Sequence, residues 1–328
     1  MEYTTLGDTG LEVSRLCLGC MSFGLDRSDW REWVLGEDES REIIERAIDL
    51  GITFFDTANV YSNGDSEAIL GDVLAEHDRE RTVVATKVHP TSGPEDFPAT
   101  GKGGLSRKAI EQAVENSLER LNMDTIDLYQ VHRWDPETPI AETLRTLDDL
   151  VRRGQVRYLG ASSMWAHQFA DALHTSETLG LERFVSMQNH YNLVYREEER
   201  EMLPLCQKEG VGVIPWSPLA RGYLSRPESE ISTTKRGETE EKMYAQPYRE
   251  GGGITVNEHI EQLASEKDAS MAQIALAWIL HKDWVDAPII GTTSVEHLEE
   301  AVEALDISLS DADIAFLEEP YEPVRVDW

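Results

Sequence analysis

Cysteine is scarce: Cys17, Cys20 and Cys206 are the only three in 328 residues. An odd, sparse set of thiols offers no disulfide framework, so the chain reads as a protein of a reducing, cytoplasmic compartment. No run of 18 apolar residues occurs, and residues 1–10 are polar where a signal peptide would be apolar, so neither a membrane span nor export is expected. Positive charge is also in short supply. Eight Lys and 22 Arg stand against 62 acidic residues, a net charge of −32. Such a field repels a phosphate backbone or an anionic bilayer, which excludes nucleic acid and membranes as expected partners. No Gly-x-Gly-x-x-Gly follows an early strand, which weakens an open doubly wound sheet, and no internal repeat is visible.

What is present is a regular alternation. Eight short runs rich in β-branched and apolar residues lie at 15–19, 53–57, 82–88, 125–132, 156–162, 184–190, 211–217 and 286–291. Between them, apolar residues recur at helical spacing, as in Ile43, Ala47 and Leu50, or Ile110, Val114, Leu118 and Leu121. Ser106 and Ser270 stand where helices should be capped, and Gly51, Gly154 and Gly210 where they should stop. Eight strands each followed by a helix, in this length, predict an α/β fold of the (β/α)8 TIM barrel kind as one domain over 1–328. Three pieces are additions to that pattern. Residues 1–14 read as a β-hairpin plugging the barrel bottom, 225–253 as a long lid or cofactor loop, and 311–319 as an extra C-terminal helix.

Barrel chemistry forms at the C-terminal ends of the strands. Those ends carry Asp56, Lys87, His132, Ser162, Gln188, Trp216 and Ser217, with Tyr61 five residues beyond Asp56. A carboxylate, an ammonium, an imidazole and a phenol on one rim form a proton-handling set in which Lys87 favours the deprotonated form of Tyr61. Two other readings arise here. Cys17-x-x-Cys20 has redox or zinc-like spacing but lacks a second pair, and His89, His132 and His190 share a rim but would hold a metal beside the Lys87 ammonium. Trp30, Trp33, Trp134, Tyr191 and the Pro90 to Pro98 loop are candidates for a substrate mouth, with Trp134 and Tyr191 as the substrate contacts.

The runs Phe55-Asp56-Thr57-Ala58-Asn59-Val60-Tyr61, Ala85-Thr86-Lys87, Asp127-Leu128-Tyr129-Gln130-Val131-His132 and Pro215-Trp216-Ser217-Pro218-Leu219 resemble the aldo-keto reductases. The likeness is greatest to the branch that includes bacterial and archaeal members and the potassium-channel β subunits. It implies NAD(P)(H)-dependent reduction of aldehydes or ketones, sugar-like ones included, with Asp56, Tyr61, Lys87 and His132 as catalytic tetrad and Tyr61 as proton donor. It implies cofactor contacts from Cys20, Met21, Asp56, Ser162, Ser163, Gln188, Trp216, Ser217, Pro218, Leu219, Arg221 and Gly222. Beyond the eighth strand it adds Gly291, Thr293, His297 and Glu300. Ser163 stands where relatives have Asn, Ala301 where an Asn usually follows the adenine-binding Glu, and no Lys or Arg marks the 2′-phosphate position. NADP(H) is favoured and NAD(H) is the competitor; no metal is implied. A nicotinamide-binding regulatory subunit and a non-redox sugar enzyme on the same barrel are the alternatives.

The acidic charge is unevenly placed. Asp56, Asp127 and Asp286 are the only acids in the eight strand runs, so the surplus lies on helices and loops. With Arg far exceeding Lys, that surface resembles proteins of salt-loving microbes.

Overall fold

A computed structural model describes residues 1–24, 33–88, 104–233 and 246–326. The eight apolar runs become eight parallel strands: β3 (Cys17–Gly19), β4 (Phe54–Asp56), β5 (Val83–Val88), β6 (Ile126–Val131), β7 (Val156–Ser162), β8 (Phe184–Gln188), β9 (Gly212–Val213) and β10 (Ile289–Gly291). Each neighbours the next, and β10 returns to pair with β3. The Asp286 N–H donates to the Val213 carbonyl and the Ile289 N–H to that of Pro215, both at 2.9 Å, so the sheet closes into a barrel. The last two strands are shorter than their runs because Pro215 and Pro288 have no N–H to give to a ladder.

Strand periodicity divides the barrel into two levels. The inward positions Cys17, Phe54, Val83, Ala85 and Leu128 form an apolar lower cluster with Ile214, Ala287 and Ile289. One pleat further up, the same faces carry Asp56, Lys87 and Gln130, all buried. Gly160 makes room for this layer: a Cβ there would sit 2.6 Å from Ser186 Oγ and 2.8 Å from Gln130 Cγ. Outward strand residues such as Leu18, Phe55, Val84 and Tyr129 pack under the helices in a second, larger cluster.

The helices of eight residues or more are α1 (Glu37–Asp49), α2 (Asp65–Leu74), α3 (Arg107–Leu121), α4 (Ile140–Arg152), α5 (Ala166–Leu179), α6 (Met202–Glu209), α7 (Gly253–Lys267), α8 (Met271–Leu280), α9 (Val295–Glu303) and α10 (Asp311–Glu318). Ser106 and Ser270 cap α3 and α8 as expected, each side chain accepting a backbone N–H three residues on. Helix α7 is an addition the eight-fold pattern does not require. It packs on α10, where the His259 ring lies 3.8 Å from that of Phe316. No helix among the described residues is long and apolar enough to cross a membrane.

The N-terminal hairpin pairs β1 (Tyr3–Thr5) with β2 (Glu12–Ser14) in antiparallel register. Leu6 and Val13 drop into the apolar lower cluster and close the bottom of the barrel. At its tip, Gly7 has φ +53° and lies so close to Gly212 N that a Cβ would sit 2.4 Å away. The Gly7 and Val213 N–H groups both donate to Asp286 Oδ2, at 3.2 and 3.0 Å. Burial raises that carboxyl to a pKa of about 6. Asp127 accepts from Arg79 and Arg157 at 2.5 Å each. Two of the three strand acids are thus structural, which leaves Asp56 for the rim.

Candidate active site

At the upper level Asp56 is held from three sides. Its Oδ2 accepts from Lys87 Nζ at 2.6 Å, and its Oδ1 accepts from the Nε2 groups of Gln130 and Gln188 at 2.9 Å each. The Lys87 ammonium also donates to the Thr57 carbonyl at 2.8 Å and to the Tyr61 hydroxyl at 3.2 Å. Its three hydrogens therefore have three acceptors. Burial opposes the charge on Lys87, but the Asp56 carboxylate and Tyr61 outweigh it and hold the pKa above the ordinary lysine value.

Tyr61 is presented by an unusual turn. Ser62 and Asn63 have φ of 46° and 55°, and Gly64 follows at 102°, so three successive left-handed residues reverse the chain into α2. Left-handed backbone at non-glycine residues costs about 1 kcal/mol or more each, which α2 and the neighbouring loop must sustain. His132, at the end of β6, meets the Tyr61 ring edge-on at 5.9 Å.

These groups open onto a cavity of about 690 Å³ that runs from the barrel mouth to the start of α9. Met21, Asp56, Tyr61, His132, Ser162, Gln188, Trp216, Ser217, Pro218, Leu219, Arg221, Gly222, Gly291, Thr293, His297 and Glu300 all line it. Gln188 spends its amide hydrogens on Asp56 and Gln130, which leaves its oxygen to accept. At the far end Ser294 caps α9, its hydroxyl accepting from the His297 N–H, so Thr293 and His297 sit on a helix N-terminus of the kind that attracts phosphate.

Five of the residues read from the sequence stand off the cavity wall. Lys87 lies behind Asp56 and Tyr61. Cys20 is buried in the outer cluster, its thiol pKa pushed up by burial; its neighbours Gly19 and Met21 line the cavity instead. Ser163, at φ +46°, accepts from Trp216 Nε1 at 3.0 Å and so orients the indole. Trp134 packs against the outer cluster. Tyr191 is fully buried outside the barrel, bonded to Glu199 at 2.7 Å and packed on Trp278. Its placement follows from alternation: with Gln188 facing in, Asn189 faces out, His190 in and Tyr191 out. Of the other mouth candidates, Trp33 lines the cavity; Trp30 and the Pro90 to Pro98 loop lie outside the described residues, as does His89 of the metal reading. Among the described residues no group of His, Cys, Asp or Glu is arranged to hold a metal.

Four groups have roles that the sequence does not suggest. Gln130 shares the Asp56 carboxylate, and its position two before His132 places it on the same face. His190 stacks between Trp216 (4.2 Å, 7°) and Tyr195 (4.1 Å, 14°), with its Nε2 bonded to Tyr248 at 2.9 Å. Burial, then Arg221 and Arg133, lower its pKa well below the usual value, so the ring behind Trp216 is a neutral one. Arg133 lines the cavity beside His132.

Glu198 is the fourth. It is buried, accepts from Asn189 Nδ2 at 2.9 Å, and burial raises its pKa from 4.5 to about 8. The native state keeps this proton up to about pH 8 while the unfolded chain releases it near 4.5, so stability falls as pH rises through that window. Replacing Glu198 by Gln should flatten this dependence and add about 1 to 3 kcal/mol at pH 9 relative to pH 5, read from urea midpoints. A parallel pH profile for both proteins refutes the assignment.

A family model described as the aldo/keto reductase family matches residues 15–322. A putative aryl-alcohol dehydrogenase of Schizosaccharomyces pombe is 43% identical, covering 99% of this chain and 97% of its own length. Versiconal hemiacetal acetate reductase of Aspergillus parasiticus is 42% identical over 99% and 98%. A putative aryl-alcohol dehydrogenase of Saccharomyces cerevisiae is 39% identical, again over 99% and 98%.

Proposed function

The chain belongs to the aldo/keto reductase family, and on that footing we propose that it is an NAD(P)(H)-dependent oxidoreductase that interconverts aldehydes or ketones and alcohols. The observation that carries the reading is the Lys87 ammonium, which lies behind the cavity wall and bridges two residues that line it, Asp56 Oδ2 at 2.6 Å and the Tyr61 hydroxyl at 3.2 Å. A bound nicotinamide dinucleotide supplies the hydride for reduction and accepts it in the reverse direction.

The lining suits such a group. Ser162 and Gln188 offer a hydroxyl and an amide oxygen to a carboxamide, and Trp216 offers a flat face braced from behind by His190. Gly291 leaves bare backbone, since a Cβ there would have no atom within 4 Å. Ser217, Arg221 and Gly222 suit a pyrophosphate, and Thr293, His297 and Glu300 an adenosine end. Ser225, Arg226 and Ile231, from the 225–253 segment, line the same cavity and support its role in cofactor binding.

The protein's own chemistry is then a proton transfer. His132 orients the carbonyl oxygen. Tyr61 gives its hydroxyl proton to that oxygen as the hydride reaches carbon, which completes the alcohol, and the Lys87 ammonium stabilises the phenolate left behind. Asp56 holds Lys87 charged and in place. Solvent reached through the cavity returns the proton to Tyr61. The names of the relatives point to aromatic aldehydes and aryl alcohols as the first substrates to try.

The test is loss of nicotinamide absorbance with a panel of aromatic and sugar-like aldehydes, using NADPH and NADH in parallel. Turnover of several aldehydes is expected, with NADPH preferred; cofactor binding without turnover of any supports a regulatory role instead. Changing His297 to Ala should lower the NADPH-to-NADH selectivity by about 3- to 10-fold, the worth of one hydrogen bond. An unchanged ratio removes His297 from the phosphate site.

A further inference from the structure

We propose that Arg133 anchors an anionic group on the substrate, so that this site prefers aldehydes or ketones bearing a carboxylate. The inference rests on the carbonyl-reducing role proposed above and deepens it. Arg133 follows His132 at the end of β6 and lines the same cavity as Tyr61 and His132. One guanidinium nitrogen, Nη1, donates to the His132 carbonyl at 2.8 Å, which ties the side chain to the residue beside the reacting oxygen.

Among the described residues Arg133 makes no ion pair, and the nearby acids are committed. Asp56 serves Lys87, Gln130 and Gln188. Asp135 accepts from the Leu105 N–H, the Glu137 N–H and the Thr138 hydroxyl at 2.7 to 2.9 Å. Burial and the like charge of Arg221 hold the Arg133 pKa below the ordinary arginine value.

A half-buried guanidinium beside a cavity, with most of its donors unspent on acids, is suited to a planar carboxylate. Arg221 lines the same cavity, with its guanidinium carbon 6.0 Å from the centre of the Trp216 ring. The acids that do line the cavity include Glu300, on α9 at the far end. They also include Asp56, already committed to Lys87, and Glu39.

The test compares 4-formylbenzoate with its methyl ester, which keeps the ring and the aldehyde but removes the charge. The wild type should favour the acid in kcat/KM. Arg133→Met should lower the acid-to-ester ratio by about 30-fold or more, mainly through KM for the acid, as loss of one partner of a buried charge pair does. Arg133→Lys, which keeps the charge without the fork, should recover part of it. A wild-type ratio near one, or a ratio unmoved in Arg133→Met, overturns the proposal. So does weakened NADPH binding in that variant by tryptophan fluorescence with the ratio intact, which assigns Arg133 to the dinucleotide. Equilibrium binding of benzoate separates this inference from the reading it rests on. Weaker binding to Arg133→Met supports the anion site even if neither aldehyde is reduced, and equal binding overturns it.

Discussion

Replacing Tyr61 by Phe should lower carbonyl reduction by about 10²- to 10⁴-fold, the usual worth of a positioned general acid, while leaving the fold and cofactor binding in place. The fold should survive because Lys87 keeps two of its three acceptors, Asp56 Oδ2 at 2.6 Å and the Thr57 carbonyl at 2.8 Å. Removing Lys87 is a poorer experiment. Breaking a buried pair strands Asp56 and costs about 3 to 5 kcal/mol, so lost activity and lost structure would be confounded. Trp216 lines the proposed nicotinamide site, so quenching of its emission by NADPH in Tyr61→Phe reports binding separately from turnover. Quenching retained with turnover abolished is the expected pair of results. Turnover within a few-fold of wild type removes Tyr61 from the chemistry.

The second large effect expected is on folding, and its lever is salt. At a net charge of −32 the compact state repels itself. Screening acts over about 10 Å at 0.1 M and about 3 Å at 1 M, so neighbouring acids are decoupled only in concentrated salt. We expect loss of native circular dichroism and activity in dilute buffer and recovery in molar KCl. On α3, Glu115 and Glu119 are exposed and one helical turn apart, with exposed Asp124 just beyond. Changing all three to Lys moves the net charge to −26 and should lower the KCl needed for half-recovery. Full stability without added salt, or a midpoint indifferent to the triple change, refutes self-repulsion as the cause.

The strand set and the rim were legible because β-branched runs recur at regular spacing and because strand ends in a barrel converge. Asp56, Lys87 and His132 follow from that alone. The rest depended on facts that periodicity does not carry. The run 211–217 shrank to two residues because a proline interrupts the ladder. Aromaticity alone suggests Trp134 and Tyr191 as mouth residues, yet Tyr191 falls on the outer phase of the alternation that puts Gln188 and His190 inside. Arg133 was not recoverable in the same way: it lies beyond the last strand residue, where alternation ends and only the path of the loop decides which way a side chain turns.

The bond from the Gly7 N–H to Asp286 joins positions 279 apart in sequence. On a ribosome, the hairpin must therefore wait until residue 286 has been made before the barrel floor can seal. Until Ile289 emerges to pair with Cys17, β3 and β9 are two unpaired edges flanking an open sheet, the condition under which strands pair with other chains. Like other folds dominated by distant contacts, this one should assemble slowly. A chain interrupted anywhere before residue 286 lacks the residue that holds the hairpin, however many of its strands have already formed.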